Sequence, residues 1–226
     1  MSEWLFLTTE YIGLISAAVS GAIVAILRRL DLLGIWFLSL VGAFCGGVLR
    51  DLLLGETPPR FFTHHHWLVA ATLAALVVVL TAKFWRGWWE APIRAKIDRI
   101  HNVFDAVGLS AFTISGVQLA IAAGHIDNPV LCVFMGVITG VGGGVLRDIM
   151  VMQMPVVLHK RVYATASILG ALVYWACVRA GGPEEIVWVI TMAFVVTVRI
   201  CAAIFRWNIP HIEKPSEQKE FKRKGN

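Results

Sequence analysis

The sequence predicts an all-α membrane protein of seven transmembrane helices, arranged as two inverted three-helix repeats and a seventh helix. Three observations carry this. Hydrophobic residues make up 58% of the chain and charged residues only 15%, where a soluble domain carries about 25% charged residues; mean hydropathy is +0.72. A six-residue string occurs twice, Gly46-Gly47-Val48-Leu49-Arg50-Asp51 and Gly143-Gly144-Val145-Leu146-Arg147-Asp148, and each copy has a proline seven residues after its aspartate, Pro58 and Pro155. A second block recurs in the same order upstream, with Gly13, Leu14, Ser20 and Gly21 matched by Gly108, Leu109, Ser115 and Gly116, and Glu10 matched by Asp105.

Apolar runs of roughly 20 residues, enough to cross a hydrocarbon core of about 30 Å, fall at about 8–28, 33–54, 66–86, 103–124, 129–151, 161–180 and 185–206. The first is not a cleavable signal, because Ser2, Glu3 and Glu10 stand where a basic n-region belongs and no small-x-small site follows. The second carries the first hexapeptide at its end. The third follows His64-His65-His66. Beyond it, Lys83–Arg99 mixes basic residues with Trp85, Trp88 and Trp89, the composition of an interfacial segment at headgroup level. The fourth span repeats the first at an offset of 95 (Gly13 to Gly108), and the fifth repeats the second at 97 (Gly46 to Gly143). The change of offset places a two-residue insertion near His125–Pro129. The sixth span closes the second repeat, and the seventh has no counterpart. The boundaries are therefore 1–90 for the first repeat, 91–182 for the second, 183–207 for the last helix and 208–226 for a polar, lysine-rich tail.

Three spans per repeat is an odd number, so the second copy enters the membrane from the opposite side, the arrangement that places substrate or ion sites near the midplane. With the N-terminus outside, the inner segments hold Arg28, Arg29, Lys83, Arg86, Arg94, Lys96, Arg99, Lys160, Arg161, Arg206 and the tail lysines and arginine, fifteen of the 20 cations; Arg60 and Arg179 are outside, and Arg50, Arg147 and Arg199 lie within spans. This bias predicts a cytoplasmic C-terminus. The net charge of +5 is thus a topology signal and not a nucleic-acid footprint. Cys45, Cys132, Cys177 and Cys201 lie in apolar spans without redox or metal spacing and read as small hydrophobes. The three adjacent histidines lack further ligands at metal-site spacing. Neither a nucleophile motif nor a phosphate loop is present, so catalysis and a bound cofactor are not expected.

The functional candidates are residues that are costly at membrane depth. Gly136 and Gly140 have the spacing of a helix-packing pair. Gly142-Gly143-Gly144, and Gly46-Gly47 in the first copy, cannot serve one helix face, because successive residues point about 100° apart; a local break with free carbonyls is the expectation, and such carbonyls can coordinate a cation. Neighbouring residues on a helix do not face each other, so Arg50 need not pair with Asp51, nor Arg147 with Asp148. Topology places Glu10 beside Arg50 on the outer side and Asp105 beside Arg147 on the inner side. Arg147 is then held by Asp105, Asp148 or both and Arg50 by Glu10 or Asp51, or the pairs cross between the halves, either as structural clamps or as gating charges at two pore mouths. Ser16 and Ser20 in the first span, and Ser110, Thr113, Ser115 and Gln118 in the fourth, either bond back to their own helices or form a wetted stripe facing the glycines.

The paired Gly-Gly-x-x-Arg-Asp motif with its prolines, together with Asp105-Ala-Val-Gly-Leu-Ser-Ala-Phe-Thr-Ile-Ser-Gly116, resembles the prokaryotic branch of the trimeric intracellular cation channel family, which is also catalogued under the domain name glycine transporter. The resemblance covers about residues 5–205. It implies a homotrimer in the bacterial inner membrane with one pore in each subunit, potassium and sodium permeation, and a pore lined by the second and fifth helices kinked at Gly46-Gly47 and Gly142-Gly143-Gly144. Arg50, Asp51, Arg147 and Asp148 would lie beside the kinks. Cys45 stands where the second copy has Gly142, so the first kink is expected to be the shallower. The Lys-Glu-Val motif of the animal members is absent from the fifth span, and lipid or calcium regulation known for them is not carried over. Membrane lipids are the other expected partner; no protein partner can be named. A competing reading, a secondary transporter of glycine or another small zwitterion, uses the same broken-helix architecture.

Overall fold

The computed structural model describes residues 2–84, 94–159, 162–205 and 207. The interfacial Trp85, Trp88 and Trp89, the cations Lys160 and Arg161, and the basic tail after Pro210 lie outside the described residues. Among the described residues there are helices and no strand. They are α1 (Glu3–Leu27), α2 (Leu32–Leu53), α3 (Arg60–Thr63), α4 (His65–Phe84), α5 (Arg94–Ala122), α6 (Pro129–Met150), α7 (Val156–His159), α8 (Ala164–Arg179) and α9 (Glu184–Ile204). Six of them, α1, α2, α4, α5, α6 and α9, are long and apolar enough to cross a membrane, and α8 is a shorter apolar helix of 16 residues. This is the all-α fold of two inverted three-helix repeats, α1–α2–α4 and α5–α6–α8, plus a last helix.

The repeat extends to the way helices begin and end. Asp31 caps α2 by accepting from the Gly34 amide at 2.7 Å, and Asn128, its counterpart, caps α6 by accepting from the Leu131 amide at 3.0 Å. α1 and α5 both end through a residue in the left-handed conformation, Arg29 (φ 58°) and Gly124 (φ 88°). The following amides, Leu30 and His125, reach back to Ala25 and Ala120, each at 3.1 Å, which satisfies carbonyls that a helix end would otherwise leave open. α2 and α6 end in the same manner through Gly55 and Met152, with Glu56 bonded to Asp51 and Gln153 to Asp148.

α1 packs on α5 and α2 packs on α6, so the two repeats meet through like elements. α1 and α5 are the most buried spans, and α4 and α9 flank them with much of their apolar surface outward. Ala18, Ala22, Ala25, Ala106 and Ala111 line the centre, fully or almost fully buried; without long side chains between them the helices approach closely, the usual packing solution in lipid. α5 begins at Arg94 rather than near 103, so it is longer than its apolar run. The added turns carry Ile97, which is buried against Ala22, Ile35 and Val78 of the first repeat, and this contact holds a polar stretch in helical form.

Candidate functional site

The two hexapeptides meet where α2 crosses α6. The helices run without interruption through Gly46-Gly47 and through Gly142-Gly143-Gly144, so the break with free carbonyls expected from the glycines is corrected. Close approach explains them instead. A methyl on Gly46 would overlap the Thr139 carbonyl, and a methyl on Gly143 would overlap the Gly42 carbonyl. The two backbones touch at these points, and only glycine permits it. Gly142 is less tightly held, its position for a methyl lying 3.2 Å from a Leu49 methyl. Gly47 and Gly144 have another task. The corresponding distances are 3.6 Å to Arg50 Nη2 and 3.8 Å to Arg147 Nη2. Helical side chains lean toward the N-terminus, so each guanidinium folds back over the glycine one turn before it.

Each arginine is buried, Arg50 1% and Arg147 2% exposed, and each is held by the same kinds of group. Arg50 Nη1 donates to Glu10 Oε1 at 2.7 Å and to Ser115 Oγ at 2.7 Å, while its Nε donates to Asp51 Oδ1 at 2.9 Å. The Ser115 hydroxyl also donates to Glu10. Arg147 Nη1 donates to Ser20 Oγ at 2.8 Å and to Asp105 Oδ1 at 3.4 Å, and its Nε and Nη2 clasp Asp148 Oδ1 at 3.0 and 2.9 Å. The acid on the first helix of each repeat therefore pairs with that repeat's arginine, while the hydroxyl comes from the other repeat: Ser115 serves Arg50, and Ser20 serves Arg147.

The neighbouring charges do meet: the aspartate of each motif holds its arginine together with the acid of the first helix of that repeat. Arginine carries Nε partway along its chain, and that atom reaches the carboxylate of the next residue. Each aspartate has a second duty. Asp51 Oδ2 accepts the Arg60 amide, and Asp148 Oδ2 accepts the Val156 amide, both at 2.9 Å. These amides open α3 and α7, the short helices that follow Pro59 and Pro155. One carboxylate thus positions the arginine and tethers the chain that leaves the span.

The polar residues do not form one stripe. Ser20 and Ser115 belong to opposite clusters, Thr113 Oγ1 shares a hydrogen bond of 2.7 Å with Ser167 on α8, and Ser16 is buried on α1 near Gly108. Gln118 donates to Tyr174 at 3.1 Å and Ser110 to the Met192 carbonyl at 3.3 Å. Two participants had no role in the sequence reading. Arg199 of α9 donates from Nη2 to Asp105 Oδ2 at 3.1 Å, and Tyr163 donates to Asp105 Oδ1 at 3.4 Å. The only sequence signal for Arg199 was a lone cation inside the seventh apolar run. Among the described residues no group of His, Cys, Asp and Glu is arranged to hold a metal. His64 stacks on Trp67 with ring centres 4.6 Å apart, an aromatic contact at the start of α4.

Comparison with known proteins agrees with this architecture. The family profile described as Glycine transporter matches residues 7–83 and again 102–179, one match on each repeat. The membrane protein YvgT of Bacillus subtilis is 35% identical over 88% of this chain and 93% of its own. The inner membrane protein YadS of Escherichia coli K12 is 34% identical over 88% of this chain and 91% of its own. Among solved structures, one from work on conductance through TRIC cation channels is 34% identical, with a TM-score of 0.77 over 92% of this chain and 97% of that one. A prokaryotic TRIC channel crystallised in 0.5 M KCl is 28% identical, with a TM-score of 0.82 over 92% and 100%. The trimeric intracellular cation channel orthologue from Rhodobacter sphaeroides is 30% identical, with a TM-score of 0.79 over 91% and 100%.

Proposed function

The chain belongs to the glycine transporter family, the prokaryotic branch of the trimeric intracellular cation channels, and from that premise we propose that it is a cation channel of the bacterial inner membrane. It is a multi-pass membrane protein and not an enzyme; the solved structures that it matches are channels. In this reading the protein is a homotrimer, and potassium or sodium passes through each subunit along the α2–α6 crossing, past Gly46, Gly47 and Gly142 to Gly144. The Arg50 cluster lies toward one end and the Arg147 cluster toward the other.

The observation that supports this reading is the matched pair of buried, ion-paired clusters, one in each repeat. An arginine at the centre of a membrane helix costs about 2.5–3.5 kcal/mol on insertion scales, and such residues face bundle interiors or water-filled cavities. Four carboxylates at membrane depth, Glu10, Asp51, Asp105 and Asp148, supply negative potential for a permeating cation. No covalent step is involved. The membrane potential acts directly on the ion, at about 2.3 kcal/mol per unit charge per 100 mV. The cation distribution in the loops orients the chain with its N-terminus outside and its C-terminus in the cytoplasm. No cofactor is required, and lipid is the surrounding partner.

The test is purified protein in planar bilayers, with potassium current and glycine-driven flux measured on the same preparation. Unitary potassium steps in the absence of glycine are expected. Saturable glycine flux with no unitary steps would overturn the channel in favour of a carrier.

A further inference from the structure

We propose that Arg199, on the one span that has no counterpart in the repeat, gives the two ends of the ion path unequal charge and thereby makes cation current larger in one direction than in the other. The proposal rests on the channel reading above. The repeats alone would build equal ends. Each contributes one arginine and two carboxylates, Arg50 with Glu10 and Asp51, and Arg147 with Asp105 and Asp148. With all of these groups charged, either cluster would carry one net negative charge.

α9 removes that equality. Arg199 Nη2 lies 3.1 Å from Asp105 Oδ2, and the guanidinium carbon stands 4.4 Å from the centre of the Tyr163 ring. A carboxylate on one side and an aromatic face on the other fix this cation in place; the residue is 5% exposed. Asp105 then has both oxygens engaged, Oδ1 by Arg147 and Tyr163 and Oδ2 by Arg199. Its counterpart Glu10 receives Arg50 and Ser115 on Oε1, and among the described residues no hydrogen bond reaches Oε2. His101, one turn before Asp105 on α5, acts on the same carboxylate and adds positive charge when protonated. The Arg50 end keeps one net negative charge, and the Arg147 end is neutral or positive.

A path with one negative end concentrates cations at that end. A unit charge roughly 8 Å from the ion at the dielectric constant of water changes the local cation concentration about two-fold, and salt screens the effect over about 10 Å at 0.1 M. Potassium entering from the Arg50 side should therefore be favoured about two-fold at low salt, with the preference shrinking toward 1 M. If Arg199 were only a clamp that ties α9 to the bundle, its replacement would lower stability and leave the direction dependence unchanged.

The experiment compares single-channel currents at equal and opposite voltages for purified protein in bilayers, in about 0.1 M KCl and above the usual histidine range. Wild type should rectify about two-fold. Arg199→Gln leaves one net negative charge at each end, so rectification should vanish and potassium-over-chloride preference should rise. Glu10→Gln leaves both ends neutral, so rectification should vanish while that preference falls. Arg199→Lys should retain rectification. Arg199→Gln combined with Asp105→Asn removes a cation and an anion together and should restore it, which keeps the test informative if the single variant does not assemble. Current that is present but shows no rectification in wild type, or the same rectification in Arg199→Gln or Glu10→Gln, overturns this proposal alone. Loss of rectification in the double variant also overturns it. Absence of unitary current from wild type overturns the channel reading and this inference with it.

Discussion

The glycines of the repeated motif should differ sharply in what alanine does to them. On Gly46 the new methyl meets the Thr139 carbonyl of the facing helix; on Gly47 it meets Arg50 Nη2 at 3.6 Å, the far end of a flexible side chain. Both substitutions gain about 1 kcal/mol from reduced backbone freedom of the unfolded chain and better helix propensity. Only Gly46→Ala also incurs overpacking, typically about 1–3 kcal/mol, because two helix backbones must separate. The second copy repeats the contrast, with Gly143 against the Gly42 carbonyl and Gly144 facing Arg147 Nη2 at 3.8 Å and the Tyr163 hydroxyl at 3.3 Å. Gly46→Ala and Gly143→Ala should therefore be less stable than Gly47→Ala by about 2 kcal/mol. For a chain of this size that is roughly 4–8 °C in melting temperature. Thermal unfolding of detergent-solubilised protein, followed by retention of the native elution peak, measures the difference. Equal melting temperatures within a pair would refute the reasoning, because they would mean that α2 and α6 do not touch at these carbonyls.

Three other outcomes are expected. Arg147→Ala leaves Asp148 without its arginine and Asp105 with Arg199 in place of two arginines, and loss of one partner from such a buried site costs about 3–5 kcal/mol; assembly should weaken, and Asp105→Asn in the same chain should recover part of it, read by size-exclusion yield. Asp51→Ala removes both the Arg50 contact and the acceptor for the Arg60 amide, so amide hydrogen exchange should quicken in 55–63 well before it does in α1. Finally, a reporter fused after Asn226 should be active in the cytoplasm, and an externally active reporter would overturn the orientation drawn from the loop cations.

Much of this site could be read before any coordinates, and the misses have physical causes. The Glu10–Arg50 and Asp105–Arg147 pairs were among the alternatives that two matched blocks and an odd number of spans offered, because symmetry and topology together put an acid of each repeat's first helix on the same side as its arginine. Glycine is ambiguous in sequence: the residue that lets a helix break is the residue that lets two helices touch, and only the α2–α6 crossing decides between them. Whether Arg50 would take Glu10 or Asp51 stayed open, because backbone directions on a helix say nothing of how far along its chain an arginine carries a donor; it takes both. α3 and α7 were invisible as short helices, since each needs an acceptor eight or nine residues away in sequence, at Asp148 or Asp51. Arg199 stood alone in an unduplicated span, so no repeat partner marked it as part of a cluster.

The exchange of serines between the halves bears on how such a chain could have arisen. Ser115 completes the cluster around Arg50 and Ser20 completes the one around Arg147, so neither half owns a finished cluster. A half-length ancestor would have lacked one hydroxyl until a second copy lay against it upside down in the same bilayer.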